Sequence, residues 1–192
     1  IDSELGETQD KWTISKLGEY ITLDRGLSYK GKHLCENGVP MLNLGTFNKS
    51  GGIKFSGLKH YNGEYKDNNL VHPSDIVIAN TDITQSRDVL GSAVMVADNF
   101  LVKDILFTHH VYAVRFFKKI SHQYVYSLLI TPDFKSNVIT YATGTTVLFL
   151  PKDGVLDYKF VLPDPIIQEK FENVTKEIRK KIEILDEEVS SL

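Results

Sequence analysis

From about Trp12 to Leu162 the chain alternates short apolar runs with clusters of Gly, Asn, Asp and Ser. Runs this short, mostly rich in Val, Ile, Phe and Tyr and bounded by turn residues, predict strands. Six stand out: Tyr20–Leu23, Met41–Leu44, Asp75–Ala79, Ala93–Val96, His109–Phe116 and Asp157–Val161. Between them lie turn signals at Asn37-Gly38, Ser50-Gly51-Gly52, Asn62-Gly63 and Asp153-Gly154. The period changes at Ser121–Leu129. Ser121 is placed to cap a helix there, and Tyr124, Val125, Leu128 and Leu129 share one face. A second short helix is predicted after Pro132, over Phe134–Thr140. The body therefore reads as a mixed α/β (α+β) domain with strands in the majority.

The tail follows a different pattern. Pro163-Asp164-Pro165 removes two backbone donors and biases the residues before each proline to extended geometry. Asp164 sits at a capping position and Pro165 at the first helical one. No Pro or Gly follows through Leu192. Phe171, Ile178, Leu185 and Leu192 recur every seven residues, and Thr175, Ile182 and Val189 recur with them, offset by four. This is a heptad seam. Glu172, Lys176, Arg179, Lys180, Glu183 and Glu187 fall outside it. At 1.5 Å per residue the helix is about 40 Å long, more than the body can cover, so the seam predicts a partner helix. The competing expectation is a terminal helix folded back on its own domain. Two units follow: a domain over 1–162 and a pairing helix over 163–192.

Composition narrows the function. The chain has 192 residues, 42% hydrophobic and 24% charged, as expected of a soluble globular protein. No run approaches the roughly 20 uncharged apolar residues of a membrane span, and Ile1–Lys11 is too acidic for a secretory signal. The single Cys35 excludes an internal disulfide and a multi-cysteine zinc site; a lone thiol fits the cytoplasm. There is no dinucleotide or P-loop phosphate cradle, no G-x-S-x-G elbow, and no Asn-Pro-Pro-aromatic loop of DNA amino-methyltransferases. Glu64-Tyr65-Lys66 with Asp24 has nuclease-like spacing, a pattern common by chance. Of the six histidines, His109 and His110 are expected to point to opposite faces of a strand, and so form no two-ligand metal site by themselves.

Formal charge is −3 but uneven. Arg25 to Lys66 carries +5, against −4 before it, −1 over 67–162 and −3 in the tail. A basic segment in a near-neutral body suits a local polyanion-binding face. Within it, Arg25-Gly26-Leu27-Ser28-Tyr29-Lys30-Gly31-Lys32 combines glycines that let the backbone approach a phosphate, cations that neutralise it and an aromatic that stacks. Asn80-Thr81-Asp82-Ile83-Thr84-Gln85-Ser86-Arg87 follows an apolar strand. It holds the inventory for reading base edges: Arg for guanine, Asn or Gln for adenine, Asp for cytosine. Ala142-Thr143-Gly144-Thr145-Thr146 is a third small polar loop. By composition alone each of these is equally an ordinary surface loop whose polar groups satisfy its own turn.

Taken together, these residues resemble one half of the specificity (S) subunit of type I restriction–modification systems. The likeness runs through Asp2-Ser3-Glu4-Leu5-Gly6-Glu7 with Trp12 and Leu17-Gly18, then Gly38-Val39-Pro40-Met41-Leu42-Asn43. It continues in Ser74-Asp75-Ile76-Val77-Ile78 with Asn80-Thr81-Asp82, in Gly91-Ser92 and in Thr143-Gly144-Thr145-Thr146. The proline-rich entry to the helix, Val161 to Phe171 with Gln168 and Glu169, is the most telling part. The resemblance implies a non-catalytic, sequence-specific DNA-binding subunit of the bacterial or archaeal cytoplasm. Its target-recognition domain reads half of a split target, and its helix acts as a spacer. It also implies methyltransferase (M) subunits that carry S-adenosylmethionine, and restriction (R) subunits that use ATP and Mg. No cofactor is expected on this chain.

Residue chemistry then nominates the DNA contacts: Arg25, Ser28, Tyr29, Lys30, Lys32, Asn43, Lys54, Asn80, Thr81, Asp82, Thr84, Gln85, Arg87, Thr143, Thr145 and Thr146. Helix pairing is expected through Phe171, Thr175, Ile178, Ile182, Leu185, Val189 and Leu192. The pairing is either between two copies of this chain or with the other half of a longer subunit. The alternatives are the recognition module of a fused restriction–methylation enzyme and a coiled-coil interaction protein that binds no DNA.

Overall fold

The computed structural model describes residues 12–48, 52–84, 88–97 and 104–190, with side chains in the last helix given for 165–182, 184 and 185. Strands and helices are, in chain order, β1 (Thr13–Lys16), β2 (Ile21–Arg25), β3 (Leu34–Cys35), β4 (Val39–Leu42), β5 (Lys59–Tyr61), β6 (Leu70–Val71), β7 (Ile76–Ala79), β8 (Thr81–Asp82), β9 (Ala93–Met95), β10 (Ile105–Phe107), β11 (Val111–Phe116), α1 (His122–Leu129), α2 (Pro132–Tyr141), β12 (Leu148–Phe149), α3 (Asp153–Leu156), β13 (Lys159–Leu162) and α4 (Pro165–Ser190).

Two sheets organise the body. One is antiparallel in the order β2-β11-β7-β9; the other runs β3-β5-β4-β10-β6, with β4 and β10 parallel. In the first sheet β7 and β9 are buried on both faces, as is the first part of β11, which is why they read as unbroken apolar runs, whereas the edge strand β2 alternates buried and more exposed residues. Side chains alternate between two cores as the pleat requires. Ile76 and Ile78 of β7, Ala93 and Met95 of β9, and Tyr112 and Val114 of β11 face α1, α2 and α3. Val77, Ala79, Val94, Val111 and Ala113 face Leu42, Val71, Ile105 and Phe107 of the second sheet. The result is a layer of helices, a central sheet and an outer sheet.

The helices begin where local chemistry says they should. The Ser121 hydroxyl accepts from Tyr124 N at 3.2 Å, and Thr131 does the same for Phe134 N ahead of Pro132. Asp164 Oδ1 accepts from Ile166 N at 2.9 Å. Three expectations need correction. Asp153-Gly154 is not an open turn but part of the short helix α3. Gly154 is buried there, and a Cβ on it would lie 2.6 Å from Leu150 Cδ1, so packing rather than turn geometry demands the glycine. Asn80-Thr81-Asp82 is not a free loop, because Thr81 and Asp82 pair with Phe149 and Leu148 as a two-stranded ribbon. Strands β5 and β10 were not anticipated: Lys59-His60-Tyr61 is polar, and Ile105-Leu106-Phe107 is too short to display a period.

The last helix divides its seam. Its first turns dock on α1: Gln168 Oε1 accepts from Ser121 N at 3.0 Å, and Phe171 meets Tyr124 edge-on at 5.9 Å. Arg179 donates to the carbonyls of Met95 and Val96 and lies over the Tyr126 ring. Phe171 and Thr175, expected to face a partner helix, are instead half-buried against this domain. Ile178, Ile182 and Leu185 remain 52–58% exposed, continuous with Val174 at 61%. Val189 and Leu192 lie outside the described side chains. The reason is that Gln168, Phe171, Thr175 and Arg179 line one face of the rod, while a seven-residue period drifts by about 20° per heptad on a straight helix, so the near end of the seam turns toward the body and the far end turns away.

Candidate nucleic-acid interface

Three segments far apart in sequence meet at one end of the central sheet. Strand β2 ends at Arg25, β7 ends beside Asn80, and β11 begins just after the turn Thr108-His109-His110. That turn ties them together. Leu27 N donates to Phe107 O, His109 N to Leu27 O, and Asn80 N to His110 O. Leu150 N then donates to Asn80 O, and the loop of residues 142–147 closes on Phe149 through Thr143. The basic loop, the polar segment and the threonine loop thus share one surface.

Arg25 is exposed. Its Nε donates to His109 O at 3.0 Å and its guanidinium lies 5.5 Å above Phe149. Ser28, Lys30 and Lys32 are exposed, whereas Tyr29 is half-buried and its hydroxyl accepts from Lys59 Nζ at 2.7 Å. Thr143, Thr145 and Thr146 are exposed. Gly144 has φ +99° with a Cβ position 2.2 Å from Val147 O, so only glycine makes this bend. The interface therefore has cations, hydroxyls and open backbone at its rim, the inventory of phosphate contact.

The polar segment is more structural than its composition implies. Asp82 is 0% exposed. Its carboxylate accepts from Thr84 N and Thr84 Oγ1, both at 2.7 Å, and from Val89 N and Leu90 N at 2.8 and 3.1 Å. Burial alone pushes its pKa up; these donors outweigh that and hold it below the usual carboxylate range. Four donors leave such a carboxylate little capacity for a cytosine. Asn80 is 0% exposed and its Nδ2 donates to His109 O. Thr81 is 4% exposed, its hydroxyl bonded to His110 Nδ1 at 2.8 Å. Asn80, Thr81 and Asp82 thus organise the loop from beneath, and Thr84, half-buried, joins them. Gln85 and Arg87 lie outside the described residues. Lys135 of α2 clamps the far side of the loop by donating to the carbonyls of Asp88 and Leu90 and to Ser92 Oγ.

Two other candidates sit elsewhere. Asn43 caps a 3₁₀ turn, its Oδ1 accepting from Gly45 N and its Nδ2 donating to Gly57 O at 2.7 Å. It holds the outer sheet's loop rather than presenting an amide. Lys54 is exposed on that same loop.

Sequence reasoning placed His109 and His110 on a strand and assigned them no role at the interface. They do not point to opposite faces of a strand. Both lie in the turn before β11, with ring centroids 3.8 Å apart. A His-His pair carries no local signal of this placement, which depends on where β10 ends. Burial lowers the pKa of both; a hydrogen bond to the Leu27 backbone partly opposes this on His109, and Arg25 adds to the lowering of each. Among the described residues no group of three or more His, Cys, Asp or Glu could hold a metal ion, and no helix is long and apolar enough to cross a membrane.

No family model matches the chain. It is 28% identical over 190 residues to the type I restriction enzyme MjaVIII specificity subunit of Methanocaldococcus jannaschii, covering 95% of this chain and 43% of that protein. Among solved structures, its fold is similar to the type I restriction–modification S subunit from M. genitalium, with a TM-score of 0.64 at 13% identity over 92% of this chain and 41% of the other. It is also similar to the HsdS subunit from Thermoanaerobacter tengcongensis, with a TM-score of 0.57 at 15% identity over 92% and 39%. Across nearly its whole length, in sequence as in fold, the chain resembles the specificity subunits of type I restriction–modification systems, and it spans less than half the length of those it matches.

Proposed function

We propose that the chain is a target-recognition half of a type I specificity subunit: it binds double-stranded DNA sequence-specifically and leaves chemistry to partners. The observation that carries this reading is the convergence of the loops containing Arg25–Lys32, Thr81–Thr84 and Thr143–Thr146 at one end of the central sheet. Exposed cations at the rim supply phosphate contact, and the internally satisfied Asp82 and Asn80 hold the loop that carries the base-reading groups. In this reading M subunits with S-adenosylmethionine, and R subunits with ATP and Mg, assemble on the chain. The exposed stripe Val174, Ile178, Ile182 and Leu185 pairs with a second helix. Two domains joined in this way read a split target, palindromic if the two copies are identical.

The test is selection from a randomised duplex library by the chain together with its M subunit. A single half-site enriched in every selected sequence is the expected result. Replacing Lys30 or Lys32 by Ala should weaken binding to all sequences alike and lower the salt slope by about one phosphate equivalent. A pool that remains random with the M subunit bound refutes the reading.

A further inference from the structure

Among the described residues, four buried side-chain polar atoms have no hydrogen-bond partner, and three of them belong to one spot: Asn80 Oδ1, Thr108 Oγ1 and His109 Nδ1. Native interiors satisfy such atoms almost without exception, so each calls for a partner that the chain itself does not supply. The spot lies under the turn Thr108–His110, at the centre of the interface. The two imidazoles lie 3.8 Å apart at an interplanar angle of 40°. Arg25 Nε and Asn80 Nδ2 both donate to the carbonyl of His109, and Thr81 Oγ1 holds His110 Nδ1. These bonds hold the His109 backbone and the His110 ring in place, and leave His110 Nε2 as that ring's second nitrogen.

The charges around the pair are all of one sign. Arg25 of β2 acts on both rings, Lys59 of β5 acts on His110, and each ring adjoins the other. The Tyr29 hydroxyl accepts from Lys59. The carboxylate next along, Asp82, is committed to Thr84, Val89 and Leu90. Among the described residues, two cations and two histidines gather here with no carboxylate acting on either ring, the character of an anion site.

We propose that Arg25, Lys59, His109 and His110 form a seat for a DNA backbone phosphodiester, and that filling it draws a proton from solvent onto the histidine pair. This rests on the DNA-reading assignment above. In the free domain burial, with Arg25 beside both rings, favours the neutral imidazoles, and the hydrogen bond between His109 and the Leu27 backbone opposes this only in part. A seated phosphate monoanion offsets the cationic field and supplies acceptor oxygens, so the protonated form gains. Binding then tightens as pH falls between the imidazole pKa of the free domain and the higher one of the complex, and is independent of pH above both.

The experiment is NMR titration of the assigned His109 and His110 ring resonances in the whole chain, in three arms of equal ionic strength: chloride, inorganic phosphate and a short DNA duplex. The expected result is a midpoint raised by about one pH unit or more in the phosphate and duplex arms relative to chloride. That corresponds to affinity rising about tenfold for each pH unit by which the midpoint moves and each proton taken up. No variant is needed, so folding defects cannot obscure the outcome. Equal midpoints in all three arms overturn the seat, and do so even where library selection has established sequence-specific binding. A rise in phosphate but none in duplex overturns the assignment to DNA.

Discussion

Asp82 gives the sharpest test of how the recognition loop is built. Replacing it by Ala removes the acceptor for three backbone amides, those of Thr84, Val89 and Leu90, and for the Thr84 hydroxyl. Leu90 is fully buried, so its amide finds no water, and an unmet buried donor costs about 1–3 kcal/mol. Thr84 and Val89 are half-buried and recover part of the loss, leaving about 0.5–1.5 kcal/mol each. The sum is about 2–6 kcal/mol, a large part of the ~5–15 kcal/mol that holds a domain together. Asp82→Asn keeps one acceptor oxygen but offers an amide nitrogen to the donors on the other side, so its cost should be about half. Urea unfolding followed by tryptophan and tyrosine fluorescence measures both. The carboxylate's folded pKa is lowered, so its contribution is complete at neutral pH and fades as pH falls through and below about 4. The Asn variant should therefore lose less stability than wild type between about pH 5 and pH 3. A stability change under about 0.5 kcal/mol for Asp82→Ala would refute the reasoning, since that is the level of an ordinary surface substitution.

Other expectations follow from the same contacts. Gln168→Leu orphans Ser121 N and Pro163 O at the root of the last helix, and should cost about 1–3 kcal/mol with faster amide exchange at Ser121. Gly91→Ala combines φ +72° with a Cβ placed 2.5 Å from Val138 Cγ1; it should destabilise by about 1–3 kcal/mol, read as a lowered midpoint of thermal unfolding. Tyr158, pushed up to about 12 first by burial and then by its hydrogen bond to Asp133, should belong to a late-ionising group in an ultraviolet titration, together with Tyr112, Tyr124 and Tyr126, which burial also raises, and Tyr158→Phe should lower the amplitude of that late phase by one tyrosine. Ile182→Asp, on the exposed stripe, should disperse any helix-mediated dimer near twice 21.7 kDa in light scattering without altering the domain's thermal midpoint.

The local sequence determined much of the scaffold. Buried runs such as Ile76–Ala79 and the first four residues of Val111–Phe116 are legible because both faces are covered, so their residues are apolar without interruption. The caps Ser121, Thr131 and Asp164 act within four residues of themselves, and so do the prolines that start α2 and α4. The likeness to specificity subunits also lay in the order of segments along the chain. Tertiary structure alone decided which polar groups remain outward. Asp82 and Asn80 have the same composition-level promise as an exposed base reader, yet partners at Leu90 and His109, 8 and 29 residues away, commit them to the loop's interior. It also decided that His109 and His110 share one side with Arg25, which follows from where β10 stops and how β2 meets β11. The heptad seam was visible as a period, but which of its residues face the body depends on how Gln168 and Arg179 anchor the rod. Period and capping are properties of neighbouring residues; satisfaction of a donor or carboxylate is a property of whatever the fold brings within about 3 Å of it.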